Sequence, residues 1–230
     1  MNKELISILE PAVRRCPELD RNDSKCKSYV RFDPQSGHVP RSFYGAHGEK
    51  SEVRLVLVGA EPAEPADGES CEGTVDERFR QIEQLFRRGF GGADIRRGRV
   101  RPRFHSNMRR IMDLFWPGVE DEKRWRQTFL TNTVLCSANE NCGRIPNDVV
   151  KVCMNTYLRE ELDLFPNAFI VALGSKARTR LGDLAQPKIE FNAFCYHPSF
   201  FIEKSCEPSW QSAAKAFREW LANHAEFTRK

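Results

Sequence analysis

The sequence predicts an α/β fold: a three-layer α/β/α sandwich with a central, mostly parallel, four-stranded sheet. Three observations support this. Four apolar runs of strand length recur along the chain, helical patterns lie between them, and strands alternating with helices build parallel sheets covered on both faces. A length of 230 residues suits one domain, residues 1–230, with one large core.

In order, residues 1–15 read as an amphipathic helix, with Lys3 and Glu4 among apolar positions. Residues 16–50 read as irregular, and 20–50 are rich in polar, Gly and Pro residues. The first strand is expected over 53–58. A second irregular stretch, 89–103, falls within an Arg-rich insertion at about 87–110, and a helix is expected over 106–115. The second strand is expected over 129–135. Helix 147–164 is patterned by Val149, Val150, Val152, Cys153, Leu158 and Leu162 and closed by Pro166. A third strand over 168–173, a helix over 175–181, a fourth strand over 189–196 and a helix over 209–227 complete the chain.

Composition is ordinary for a globular protein, at 40% hydrophobic and 30% charged. No segment resembles a secretory signal or a membrane span, so a cytosolic protein without a membrane association is expected. The net charge of +4 is modest, but its distribution is uneven. Arg87, Arg88, Arg96, Arg97, Arg99, Arg101, Arg103, Arg109 and Arg110 cluster with Asp94 as the only acid between them. Such a block reads as a polyanion-binding surface or as a solvated loop. Eight cysteines in a reducing compartment imply no disulfide framework; they read as core thiols or metal ligands. Cys71, Cys142, Cys195 and Cys206 show no evident role. There is no G-x-S-x-G, glycine-rich P-loop or H-E-x-x-H, which removes the usual signatures of several hydrolase and nucleotide-binding classes.

Each expected strand runs into a polar or Gly/Pro-containing segment: Gly59-Ala60-Glu61-Pro62, Thr131-Asn132-Thr133, Gly174-Ser175-Lys176 and His197-Pro198-Ser199. In an open parallel sheet these carboxyl ends converge on one edge, where ligand crevices form. Glu61, Asn132 and His197 are therefore expected in one pocket. The alternatives are a helix-capping acid at Glu61, a backbone-bonded Asn132 and a simple turn at His197-Pro198.

Four segments together carry a resemblance. Residues 56–63 (VLVGAEPA) resemble motif A of the uracil-DNA glycosylase superfamily, a strand followed by G-x-x-P. Residues 131–136 (TNTVLC) resemble the T-N-x-V-x-C segment of its iron–sulfur members. Residues 157–162 (YLREEL) and 170–177 (IVALGSKA) resemble their Y-L-x-x-E-L and V-A-L-G-x-x-A stretches. His197-Pro198-Ser199 resembles motif B, H-P-S. The segments run in order from about 53 to 201.

The resemblance implies a monofunctional DNA glycosylase that hydrolyses the N-glycosidic bond of a flipped-out uracil or related modified pyrimidine. Such a site needs a group to hold the attacking water and offset sugar charge, and a donor toward the departing base. Glu61 takes the first role and His197 the second. Asn132 reads the base edge, Phe104 stacks on the base with Phe90 as runner-up, and Ala60 stands beside it. The four-cysteine members place Glu one position earlier, where this chain has Ala60. Arg101, Arg103, Asn107, Arg109 and Ser199 are expected to contact DNA, single- or double-stranded, with Asn107 and Arg109 opening a helix near a phosphate. No lysine occupies a motif position that suggests Schiff-base chemistry.

The same resemblance places Cys136 at a cluster-ligand position and Cys153 close to another, offset by one residue from Tyr157-Leu158. With Cys16 and Cys26, spaced C-x9-C rather than C-x-x-C, they either hold a structural [4Fe–4S] cluster or are four buried thiols. No cofactor is required for the chemistry and no protein partner is expected. A bulky modified cytosine of phage DNA, with a role in antiviral defence, is an alternative substrate. A non-catalytic binder of DNA or abasic sites is a second class, and a small-molecule α/β hydrolase a third.

Overall fold

A computed structural model describes residues 3–41, 43–63, 65, 73–91, 103–140, 143–182, 188–189 and 200–224. The elements begin with α1 (Lys3–Arg15), α2 (Cys26–Tyr29), β1 (Val30–Arg31), β2 (Tyr44–Gly45), β3 (Leu55–Gly59) and α3 (Val75–Gly91). They continue with α4 (Arg103–Phe115), α5 (Asp121–Arg126), β4 (Thr128–Asn132), β5 (Ser137–Ala138) and α6 (Asn147–Cys153). A π-helical turn (Met154–Leu158) leads into α7 (Arg159–Asp163), followed by β6 (Phe169–Ala172), α8 (Ser175–Leu181), β7 (Lys188–Ile189) and α9 (Phe200–Asn223).

The main sheet has the order β2-β4-β3-β6-β7. All its pairings are parallel except β2 with β4. It thus has five strands among the described residues, where four were expected. The extra strand, β2, is two residues long and shows no apolar run of its own; it exists because β4 offers it an edge. A separate antiparallel pair joins β1 to β5.

Leu55, Val56, Leu57 and Val58 are all fully buried, which explains why β3 reads as an unbroken apolar run rather than an alternating one. Val56, Val58, Phe129, Ile170 and Ala172 face a core shared with α1, α6, α7 and α8. Leu55, Leu57, Leu130, Phe169 and Val171 face a second core with α4 and α9, where Trp210 and Phe217 are wholly enclosed. These are the expected three layers. Among the described residues no helix is long and apolar enough to cross a membrane.

Three sequence expectations need correction. The stretch expected to be irregular over 89–103 is helical at both ends: 103 opens α4, and 89–91 close the 17-residue helix α3, whose Phe79, Ile82, Phe86 and Phe90 pack inward. Its start is marked by a capping box, with Thr74 N donating to Glu77 Oε2 (2.6 Å) and Glu77 N to Thr74 Oγ1 (3.3 Å). The Arg block is therefore divided, with Arg87 and Arg88 closing α3 and Arg109 and Arg110 on α4; residues 92–102 lie outside the described residues. Finally, α9 begins at Phe200 and runs through Pro208, well ahead of the expected start at 209. Of the expected fourth strand, 188–189 is described as β7, and 190–199 lies outside the described residues.

Candidate active site

The parallel register sets Gly59 opposite Asn132 at the carboxyl ends of β3 and β4. A Cβ at position 59 would stand 2.4 Å from Asn132 Oδ1, so any larger residue there forces the Asn132 side chain to shift. The two chains stay joined beyond the strands: Thr133 N donates to Gly59 O (2.8 Å), and Val134 N to Ala60 O (3.0 Å). Thr133 Oγ1 also donates to Ala60 O (2.6 Å). Asn132 shares the face of Leu130 and Leu57, because strand side chains alternate. That face is the one covered by α4, which carries Phe104.

Glu61 follows two residues after Gly59. It caps no helix: residues 62, 63 and 65 are irregular, and α3 begins only at Val75. Instead its carboxylate meets two cations from α8. Gly174 leaves β6 at φ +91°, a conformation open to glycine, and the helix that starts there presents Lys176 and Arg180 on one face. Lys176 Nζ donates to Glu61 Oε1 and to Gly143 O (2.9 Å). Arg180 Nη1 donates to Glu61 Oε2 (2.5 Å), Ala60 O (2.9 Å) and Thr133 Oγ1 (3.1 Å). The side chains of Glu61 and Arg180 are 7% and 5% exposed, that of Lys176 38%.

Sequence reasoning missed both cations. Lys176 stands within the 170–177 segment, but its charge gained no role there because Glu61 lies after a different strand. Two cations four residues apart directly after a glycine-ended strand were the available signal.

Ala60, Glu61 and Asn132 stand at the adjoining carboxyl ends of β3 and β4, with Asn132 on the face covered by α4 and Glu61 bound by α8, the helix packed on the other face. His197, Ser199 and Arg101 lie outside the described residues, as does the side chain of Arg103. Phe104 is half-buried, edge-on to His105 with ring centroids 5.3 Å apart, and packs against the second core. Asn107 is fully buried in the second turn of α4. It does not open the helix as expected, because α4 starts at Arg103, and its amide is not at the surface for a phosphate. Arg109 is exposed. Phe90, the alternative stacking ring, is buried and lies 4.8 Å from Trp125 in a stacked pair, so it is part of the core.

Behind β4 stands another residue that sequence reasoning quoted without a role. Glu161 is wholly buried; Thr131 Oγ1 donates to its Oε2 (2.9 Å), and its Oε1 has no partner. Burial pushes its carboxyl up to about 8. Its only described bond is thus to the residue next to Asn132, from the opposite face of the sheet.

Cys16, Cys26, Cys136 and Cys153 line one apolar pocket with Leu19, Val134 and Tyr157. All four are free thiols, and Tyr157 OH donates to Cys16 Sγ (3.3 Å). Burial and then mutual charge push the Cys136 thiol well up, and burial does the same for Cys153. Among the described residues no three His, Cys, Asp or Glu side chains are arranged to hold a metal ion. Four thiols are the donor type that an iron–sulfur cluster takes; here they line one apolar space without being arranged as ligands. Cys206, which showed no evident role in a sequence that implied no disulfide framework, is buried and disulfide-bonded, since sequence spacing does not reveal which thiols a fold brings together.

The described residues thus form a mostly parallel three-layer α/β/α domain whose glycine-ended strand β3 lies beside a strand-end asparagine. The chain belongs to the uracil DNA glycosylase superfamily, which it matches over residues 46–225. The match opens just after β2 and ends past α9, so Cys16 and Cys26 precede it while Cys136 and Cys153 lie within it. No curated protein matches the chain.

Proposed function

We propose that the protein is a monofunctional DNA glycosylase that hydrolyses the N-glycosidic bond of a flipped-out uracil or related modified pyrimidine, leaving an abasic site. The observation that carries this reading is the register of Gly59 against Asn132, which sets the Glu61 loop beside the amide that would read the base. Water adds to C1′ as the C–N bond breaks; the bonding pair departs with the base, which finally takes up the proton that the water loses. Glu61 orients that water, while its two cation partners already draw on its charge. His197 donates toward the base oxygen where negative charge grows. Asn132 pairs with the base edge and Phe104 stacks on it. Arg101, Arg103, Arg109 and Ser199 hold phosphates of single- or double-stranded DNA.

Ala60, a small residue where four-cysteine members carry Glu, favours a second substrate reading, a bulkier modified cytosine as found in phage DNA. One assay addresses both: strand scission after alkali on oligonucleotides carrying uracil, hypoxanthine, 5-hydroxymethyluracil, or hydroxymethylated or glucosylated cytosine. The expected outcome is abasic product from one of these, reduced at least about 100-fold in Glu61→Gln. DNA binding without product from any of them would leave a non-catalytic binder.

Cys16, Cys26, Cys136 and Cys153 would hold a structural [4Fe–4S] cluster, which when bound cross-links the N-terminal segment to α6 and adds no step to hydrolysis. Iron and acid-labile sulfide bound by anaerobically purified protein, and lost in Cys136→Ala, is the expected result. Metal-free wild-type protein would leave four packed thiols.

A further inference from the structure

The side chain of Arg180 is buried, yet the glycosylase reading gives it no part in base removal beyond drawing on the charge of Glu61. A buried Arg–Glu pair is weak ground for stability, because desolvation offsets much of its attraction; an apolar side chain of similar volume often serves a fold as well. What the guanidinium does supply is a rigid, planar array of donors, and every contact it makes within the described site is to a strand end. One nitrogen binds Glu61 Oε2, the Ala60 carbonyl and the Thr133 hydroxyl. Thr133 in turn donates to the same Ala60 carbonyl and adjoins Asn132. The water-orienting carboxylate and the base-reading strand end are therefore tied through one side chain. Lys176 holds the other carboxylate oxygen and, through Gly143 O, the loop after β5.

We propose that Arg180 is a positioning residue for base removal. It fixes the Glu61 carboxylate and the Asn132-bearing end of β4 as one unit, so that water and base are presented in a set geometry. Lys176, the more exposed cation, seats the second oxygen of Glu61. This rests on the glycosylase reading.

The test is a mutant cycle of Arg180→Ala, Glu61→Gln and the double variant. It is read as kcat and KM for base release on the substrate identified by the panel, with thermal melting alongside. Arg180→Ala is expected to lower kcat about 100-fold, the cost of a misplacement near 1 Å, with KM changed little. In the Glu61→Gln background the same substitution is expected to cost less than about threefold, because residues acting as a unit are not additive. Arg180→Lys restores part of the loss. Should Arg180→Ala fail to fold, Arg180→Lys and Thr133→Val carry the same expectation of a kcat loss at unchanged KM that shrinks in the Glu61→Gln background. Folded Arg180→Ala with wild-type kcat, or losses that multiply in the double variant, would overturn the proposal while leaving the glycosylase reading intact. Wild-type protein that releases no base would remove both.

Discussion

Glu161 carries its own pH signature. An unfolded chain ionises this carboxyl near 4.5, whereas burial in the folded state holds the proton to about 8. Between these values the native state binds the proton that the unfolded state has lost. Stability is therefore full below about 4.5, falls by about 1.4 kcal/mol per pH unit as pH rises toward 8, and levels off above it. Glu161→Gln keeps a partner for Thr131 and removes the titration; it is expected to melt higher than wild type at pH 8 and equally at pH 4.5. A variant melting curve that tracks wild type at both pH values would show that Glu161 is not held neutral. Gly59 makes a second prediction at this scale. Gly59→Ala is expected to fold but lose base release, because a methyl group at 59 displaces Asn132; unchanged activity would disconnect Asn132 from the reaction. Glu61 and Asn132 were legible in the sequence because each sits beside a short motif at a strand end. Lys176, Arg180 and Glu161 gained no role from the sequence, since their partners are 115, 119 and 30 residues away and local spacing does not say what a side chain will meet.

The π-helical turn resolves a mismatch visible in the sequence. Cys153 is offset by one residue from Tyr157-Leu158 relative to the four-cysteine pattern, and the turn over Met154–Leu158 lies between them. A π turn absorbs one extra residue within a helix, so Cys153 faces the thiol pocket while Tyr157 reaches Cys16 and Glu161 reaches Thr131. Deleting the exposed Asn155 restores a regular helix and turns Cys153 by about 100° against Tyr157. Under the cluster proposal that variant is expected to keep its helical circular dichroism and lose bound iron; retained iron would show that the turn does not set the ligand. The helix over 147–164 was legible from its apolar spacing, but the turn within it was not, because one inserted residue leaves that spacing nearly unchanged. Helix α3 escaped notice because charged residues separate its four aromatic and aliphatic anchors, although Thr74 and Glu77 marked its start.

Across the whole molecule, alternating strands and helices were enough to indicate the layered sheet, while the two-residue strand β2 depends on an edge that exists only after folding. The net charge of +4 understates the basic surface that Arg88 exposes in the last turn of α3 and Arg109 at the middle of α4, not at the helix start expected for it. DNA affinity is expected to fall log-linearly with salt, and Arg109→Ala to weaken binding across sequences and reduce the slope by about 1; an unchanged slope would move the DNA track elsewhere. The central claim is that this fold joins the Glu61 and Asn132 strand ends into a site that severs a base from DNA. Its most direct measurement is mass-spectrometric detection of the free base and the matching abasic strand from a modified oligonucleotide, wild type against Glu61→Gln. Free base and abasic strand in equal amounts with wild type, and both formed at least about 100-fold more slowly with Glu61→Gln, is the predicted result. Intact oligonucleotide with both proteins, or equal release by both, would contradict it.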